Sequence, residues 1–214
     1  MGGRPALLLI AGLLVLAAGC GKKTNSGGDI GAATPTPPVS GEVTASATVA
    51  AMPTSATAPD GRTYLVTNPR FDPLPGARAL YGVLNGAAYQ IEVPSAWNGE
   101  LVLYAHGFTG DDPIVFVQMP PLRQYFIAHG FAWAASSFAA SGYNPDQGLH
   151  DTLALRDLFI RQVGAPQRTY IDGTSMGGHV VVSAMEQHPE LFAGGFSECG
   201  VVAGVEELDY LVSY

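Results

Sequence analysis

Positive charge is scarce in this sequence. Its 214 residues hold ten Lys and Arg against 18 Asp and Glu, a formal net charge of −8. Lys22 and Lys23 are the only adjacent cations, so no basic face exists to follow a phosphate backbone, and nucleic acid is excluded as an expected partner. Cysteine is nearly absent: Cys20 and Cys199 cannot supply a disulfide framework. The five histidines, His106, His129, His150, His179 and His188, are scattered and show no metal-ligand spacing. No metal is therefore expected. No dinucleotide fingerprint occurs, and the glycine-rich run Gly173 to Gly178 lacks the lysine of a phosphate-binding loop, so no cofactor is expected either. A long hydrophobic span is missing too: Ala6 to Leu16 falls short of the about 20 residues that cross a bilayer. Charged residues amount to 13% and hydrophobic ones to 47%, a balance that favours a packed body over disorder for most of the chain.

The N-terminus reads as an address. Arg4 supplies a positive start, Ala6 to Leu16 a short apolar core, and Leu16-Ala17-Ala18-Gly19-Cys20 follows. Small residues before a cysteine resemble a bacterial lipobox, with Ala17 where leucine is commonest. We expect residues 1–19 to be a lipoprotein signal peptide and Cys20 to carry the lipid that binds a membrane. Residues 20–59 are rich in Gly, Ser, Thr, Ala and Pro and cannot bury enough surface to offset ordering entropy; they read as a flexible, lipid-anchored linker. The expected location is the bacterial cell envelope, facing the periplasm or exterior. Gly21 rather than aspartate follows the cysteine, which favours the outer membrane if there are two. Cys199 is then left alone, and its apolar surroundings suggest a small buried strand residue.

From residue 60 the texture changes. Arg62 to Thr67 and Ala87 to Val93 are short aromatic and β-branched runs that predict an antiparallel lead-in. Leu101 to Ala105 is continuously apolar, as a strand covered on both faces should be. The spacing from Ile114 to Ala128 predicts a helix starting near Pro121. Phe131 to Ser136 predicts a strand, residues 146–163 an amphipathic helix, Arg168 to Asp172 a strand, Gly178 to His188 a helix and Gly194 to Gly200 a strand. This alternation implies an α/β fold, a mostly parallel sheet with helices on both faces, over residues 60–214.

One pentapeptide carries chemistry. Gly173-Thr174-Ser175-Met176-Gly177 sits between a predicted strand and a predicted helix, the context of a nucleophile elbow. A sharp turn there lifts the serine hydroxyl clear of the sheet, and Gly173 and Gly177 are needed because strand and helix backbones approach closely. A serine also needs an oxyanion site and a base. Upstream, the apolar strand ends in His106-Gly107-Phe108. In this arrangement the backbone N–H groups of Phe108 and Met176 would receive the oxyanion, with His106 as a positioning residue.

Tyr104-Ala105-His106-Gly107 and Ile171 to His179 together resemble the α/β-hydrolase superfamily, in particular bacterial secreted or lipoprotein members of serine-esterase type. The resemblance covers residues 60–214. It implies a carboxylic-ester hydrolase acting through an acyl-enzyme on Ser175, with a small-molecule or polymeric ester as substrate.

The base is where the sequence departs from that pattern. The resemblance implies an acid and then a histidine after the nucleophile, yet only His179 and His188 follow Ser175. His179 lies one helical turn on, at the helix end that disfavours a cation, and reads as a supporting residue. His188 lies three turns away. Glu198, after the next strand, is a weak candidate acid, and Asp172 reads as structural. The apolar ending, with Val205, Leu208, Leu211 and Val212 at helical spacing, leads us to expect a fragment whose acid and histidine lie beyond Tyr214. On that expectation this chain alone is inactive. Two alternatives stay open: a non-catalytic surface binding module on a hydrolase scaffold, and a secreted peptidase, lipase or thioesterase.

Overall fold

A computed structural model describes residues 55–203 together with Glu207 and Ser213. The signal peptide, Cys20, most of the 20–59 linker and most of the apolar ending lie outside the described residues.

The main sheet grows outward from its most apolar strands. Strands β5 (Glu100–Ala105) and β7 (Ala132–Ser136) are buried at every position, because protein covers both of their faces. Side-chain alternation divides them cleanly. Leu101, Leu103, Ala105, Ala132 and Ala134 face one core, and Val102, Tyr104, Trp133 and Ala135 face another. Strand β8 (Arg168–Thr174) runs parallel to β5, and β9 (Gly194–Glu198) runs parallel to β8. On the other side of β7, strand β4 (Ala87–Pro94) pairs antiparallel and forms a hairpin with β3 (Ala77–Leu84). The order is β3-β4-β7-β5-β8-β9. The register Ala105↔Gly173 brings the ends of β5 and β8 side by side.

Helices cover both faces. On one, α2 (Pro145–Gln162) and α3 (Met176–Gln187) bury Leu149, Leu155, Phe159, Val180, Val181 and Ala184 against the sheet. Asn144 starts α2, its side-chain oxygen accepting from the N–H of Gln147 at 3.1 Å, with Pro145 in the first turn. On the other face, α1 (Arg123–Ala128) sets Phe126 beside Phe71 and Trp133. There Glu92, fully buried, accepts from Arg123 Nε at 2.7 Å and from Trp133 Nε1 at 2.7 Å.

The sequence expectations meet several corrections. The antiparallel lead-in is the β3–β4 hairpin, and the run read at 62–67 becomes β2 (Thr63–Val66) in a separate three-stranded sheet. That sheet includes β1 (Ser55–Thr57), which falls inside the span read as linker, and β6 (Ile114–Val115), which precedes the helix expected from near Pro121. Pairing with Leu65 and Val66 overrides the helical spacing of Ile114 and Val115. Cys199 is exposed rather than buried, because β9 stops at Glu198 and Cys199 turns with φ +50°.

Candidate active site

Ser175 stands at the junction of β8 and α3 with φ 57° and ψ −119°, a conformation costly for any residue with a side chain. Its side chain makes no cap bond to the helix it precedes. Among the described residues its hydroxyl has no hydrogen-bond partner. Two glycines make this turn possible. A Cβ on Gly173 would strike the carbonyl of Gly177, and one on Gly177 would strike the carbonyl of Ala105. Backbone closeness, not flexibility, therefore fixes both identities.

The loop after β5 lies against the elbow. A Cβ on Gly107 would come within 3.1 Å of the Thr174 carbonyl and 3.2 Å of Ser175 Cβ. Neither the N–H of Phe108 nor that of Met176 has a hydrogen-bond partner among the described residues. Phe108 is half exposed, and Met176 is buried as the first residue of α3. His106 is 3% exposed, its ring stacked on Phe138 at 4.2 Å and its Nδ1 2.7 Å from the Gly107 carbonyl. Burial holds its pKa below the usual histidine value, against the pull of the Gly107 and Ser137 carbonyls. Among the described residues its buried Nε2 has no hydrogen-bond partner.

Carboxylates gather under the elbow. Asp172 is buried on β8, and desolvation, reinforced by the charge of Glu198, pushes its pKa up to about 6. Glu198 is exposed at the end of β9 and accepts from Thr174 Oγ1 at 3.1 Å. Its described partner is thus a threonine, not an imidazole. An apolar trough lined by Leu122, Phe126, Phe131, Tyr170 and Phe196, with Asp172 in its wall, lies on the α1 face; Ser175 does not line it. Among the described residues, no group of three His, Cys, Asp or Glu could hold a metal ion.

The remaining histidines separate. His188 caps the far end of α3, His129 stacks on Tyr125 at 3.9 Å, and His150 is largely exposed beside Asp151. His179 accepts or donates a hydrogen bond to the Tyr143 hydroxyl through Nδ1 at 3.0 Å. Tyr143 was not singled out by sequence reasoning, nor were its neighbours. Asn144 N–H meets Met176 Sδ at 3.3 Å, and Gly142 N–H donates to the Gly110 carbonyl at 2.9 Å. The Asn144-Pro145 helix start was the one available signal for this loop.

The Prolyl oligopeptidase family model matches residues 129–207, the stretch from the end of α1 past β9. No curated protein matches the sequence. Among solved structures, Pyrococcus horikoshii acylaminoacyl peptidase aligns at 19% identity and TM-score 0.47, over 58% of this chain and 23% of that one. Acetyl xylan esterase from Aspergillus awamori aligns at 19% and 0.46, over 60% and 53%. FphF, a fluorophosphonate-binding serine hydrolase of Staphylococcus aureus, aligns at 13% and 0.47, over 62% and 60%. The chain thus spans about a quarter of the peptidase and about half of the esterase. The serine elbow between β8 and α3 lies inside the stretch that the Prolyl oligopeptidase family model matches.

Proposed function

We propose that the protein is a serine hydrolase that cleaves carboxylic esters through an acyl-enzyme on Ser175. The observation that carries this reading is the elbow, with Ser175 at φ 57° and its hydroxyl uncommitted. In the first step Ser175 Oγ bonds to the ester carbonyl carbon, the carbonyl electron pair moves to oxygen, and the hydroxyl proton passes to a base. The N–H groups of Phe108 and Met176 receive the oxyanion. Collapse breaks the bond to the alcohol, which leaves with that proton. Water then repeats the sequence on the acyl group and frees Ser175. Among the described residues no imidazole is hydrogen-bonded to Ser175, and the reading assigns no residue as the base.

A fluorophosphonate probe tests the proposal in the full-length protein. Labelling lost in Ser175→Ala is expected; absence of labelling in the unaltered protein overturns it. Peptidase action is the second reading, favoured by the family model over residues 129–207. Comparing p-nitrophenyl acetate with an acylated aminoacyl p-nitroanilide separates the two. A binding module without turnover is the third, and it predicts ligand binding unaffected by Ser175→Ala. Lipidation at Cys20 belongs to the same proposal: Cys20→Ser should release the protein from the membrane fraction.

A further inference from the structure

The proposed oxyanion site has two halves on different elements, and something must set the distance between them. Strands β5 and β8 stay paired only as far as Ala105↔Gly173. Beyond that point Phe108 rides on the loop after β5, and Met176 opens α3. No hydrogen bond joins residues 106–112 directly to residues 174–179 among the described residues.

Three consecutive residues of another loop make the connection instead. Gly142 N–H donates to the carbonyl of Gly110, two residues past Phe108, at 2.9 Å. Asn144 N–H reaches Sδ of Met176 at 3.3 Å. Between them, Tyr143 Oη meets His179 Nδ1 at 3.0 Å, on the first turn of α3. Both ends of this tripeptide are fixed. Before it, Ala139 N–H donates to the buried Asp151 carboxylate at 2.8 Å and Phe138 stacks on His106. After it, Asn144 caps α2.

We propose that Tyr143 is a positioning residue: through His179 it ties the loop after β7 to the nucleophile helix and so sets the separation of the Phe108 and Met176 N–H groups. This rests on the oxyanion role proposed above for those two groups. Among the three bonds it is the one made by a side chain to a side chain, so substitution can remove it and leave the backbone bonds in place. Tyr143 is exposed, and its phenol, whose pKa desolvation and the charge of Glu207 raise further, is protonated at neutral pH and able to donate. With the phenol donating, His179 Nδ1 accepts and its proton resides on Nε2. A shift of a fraction of an ångström in one donor weakens transition-state binding while leaving the ground state alone.

The test compares Tyr143→Phe, His179→Phe, the double variant and His179→Gln in the full-length protein. Ester turnover and amide hydrogen exchange are both measured. Either single loss should lower kcat about 10-fold with KM within about twofold, since the interaction matters only in the transition state. The double variant should be no worse than either single one. His179→Gln, which keeps an acceptor, should recover most of kcat with Tyr143 present and none in the Tyr143→Phe background. Exchange at Gly142 and Asn144 should rise at least tenfold in Tyr143→Phe, while Leu103 and Val180 stay unchanged. Unchanged kcat, or additive single losses, overturns the proposal. So does a loss of kcat accompanied by faster exchange at Leu103 and Val180, which marks general destabilisation. If the unaltered protein turns over no ester, the proposed function fails on its own. The exchange result at Gly142 and Asn144 then decides whether Tyr143 holds this loop.

Discussion

The backbone N–H of Ser175 donates to the carbonyl of Glu198 at 2.8 Å, so the strand after the elbow holds the elbow itself. The Glu198 side chain faces the same corner, and its charge is the second cause, after burial, of the raised pKa of Asp172. Glu198→Gln keeps the backbone bond and removes only the charge. The pKa of Asp172 should then fall below about 6 yet stay above 3.8, because desolvation is the larger cause. A carboxyl carbon NMR titration reads this directly; an unmoved Asp172 would show that the two carboxylates do not interact.

Asp172 also predicts a pH dependence of stability. Its folded pKa, about 6, lies above the unfolded value of 3.8, so the folded state holds the proton more tightly. Its contribution is most favourable below the unfolded value and is lost as pH rises through about 6. Asp172→Asn should therefore raise stability at pH 7 and make little difference at pH 3.5. The limiting slope for one such group is about 1.4 kcal/mol per pH unit. Urea unfolding of both proteins at several pH values supplies the comparison. A variant less stable than the parent at pH 7 would mean that Asp172 is held by an interaction stronger than its burial.

His106 works in the opposite direction. Burial lowers its folded pKa beneath the ordinary histidine value of 6.5, so the unfolded chain takes up a proton that the folded one refuses. Above that value neither state is charged and His106 adds no slope. As pH falls below it, stability is lost. The two buried groups therefore offset each other in mild acid. Removing Asp172 should steepen acid unfolding, and His106→Gln should make it shallower. If both single variants leave the acid slope unchanged, the pH dependence arises elsewhere in the chain.

The legible parts of this fold are those where one physical signal dominates. β5 and β7 are doubly covered strands, and their unbroken apolar runs announce it. The elbow is legible because its glycines are demanded by backbone contact, which no other residue type tolerates. β3 was missed because Arg78 and Gly82 interrupt its pattern and its residues are only partly buried. β6 was missed because two residues have no period of their own, and their partners lie 49 positions earlier, at Leu65 and Val66. Cys199 looked buried because its neighbours are apolar; a positive φ after the last ladder residue turned it outward. Tyr143 and His179 are 36 residues apart, and no local spacing connects them. That connection exists only once the parallel sheet has placed the loop after β7 beside the start of α3.

The loop that bears Phe108 runs through β6 before the chain reaches α1, and α1 is fastened at Arg123. Fully buried Glu92 accepts from Arg123 Nε at 2.7 Å and Nη2 at 3.0 Å, from Trp133 Nε1 at 2.7 Å and from Leu74 N–H at 2.5 Å. Arg123 also donates to the Asp72 carbonyl at 2.8 Å and lies over the rings of Phe71 and Trp133. Taking such charges out of water is costly, so the pair itself adds little over a well-packed apolar substitute. Breaking it is a different matter. Arg123→Met strands a carboxylate in the core and should cost about 3–5 kcal/mol. Adding Glu92→Leu removes the stranded charge, and the double variant should recover part of that loss. It still leaves the N–H groups of Trp133 and Leu74 unpaired, which limits the recovery. Denaturant unfolding of the two single variants and the double variant measures the coupling. Losses that simply add would show that Glu92 and Arg123 act independently despite their contact.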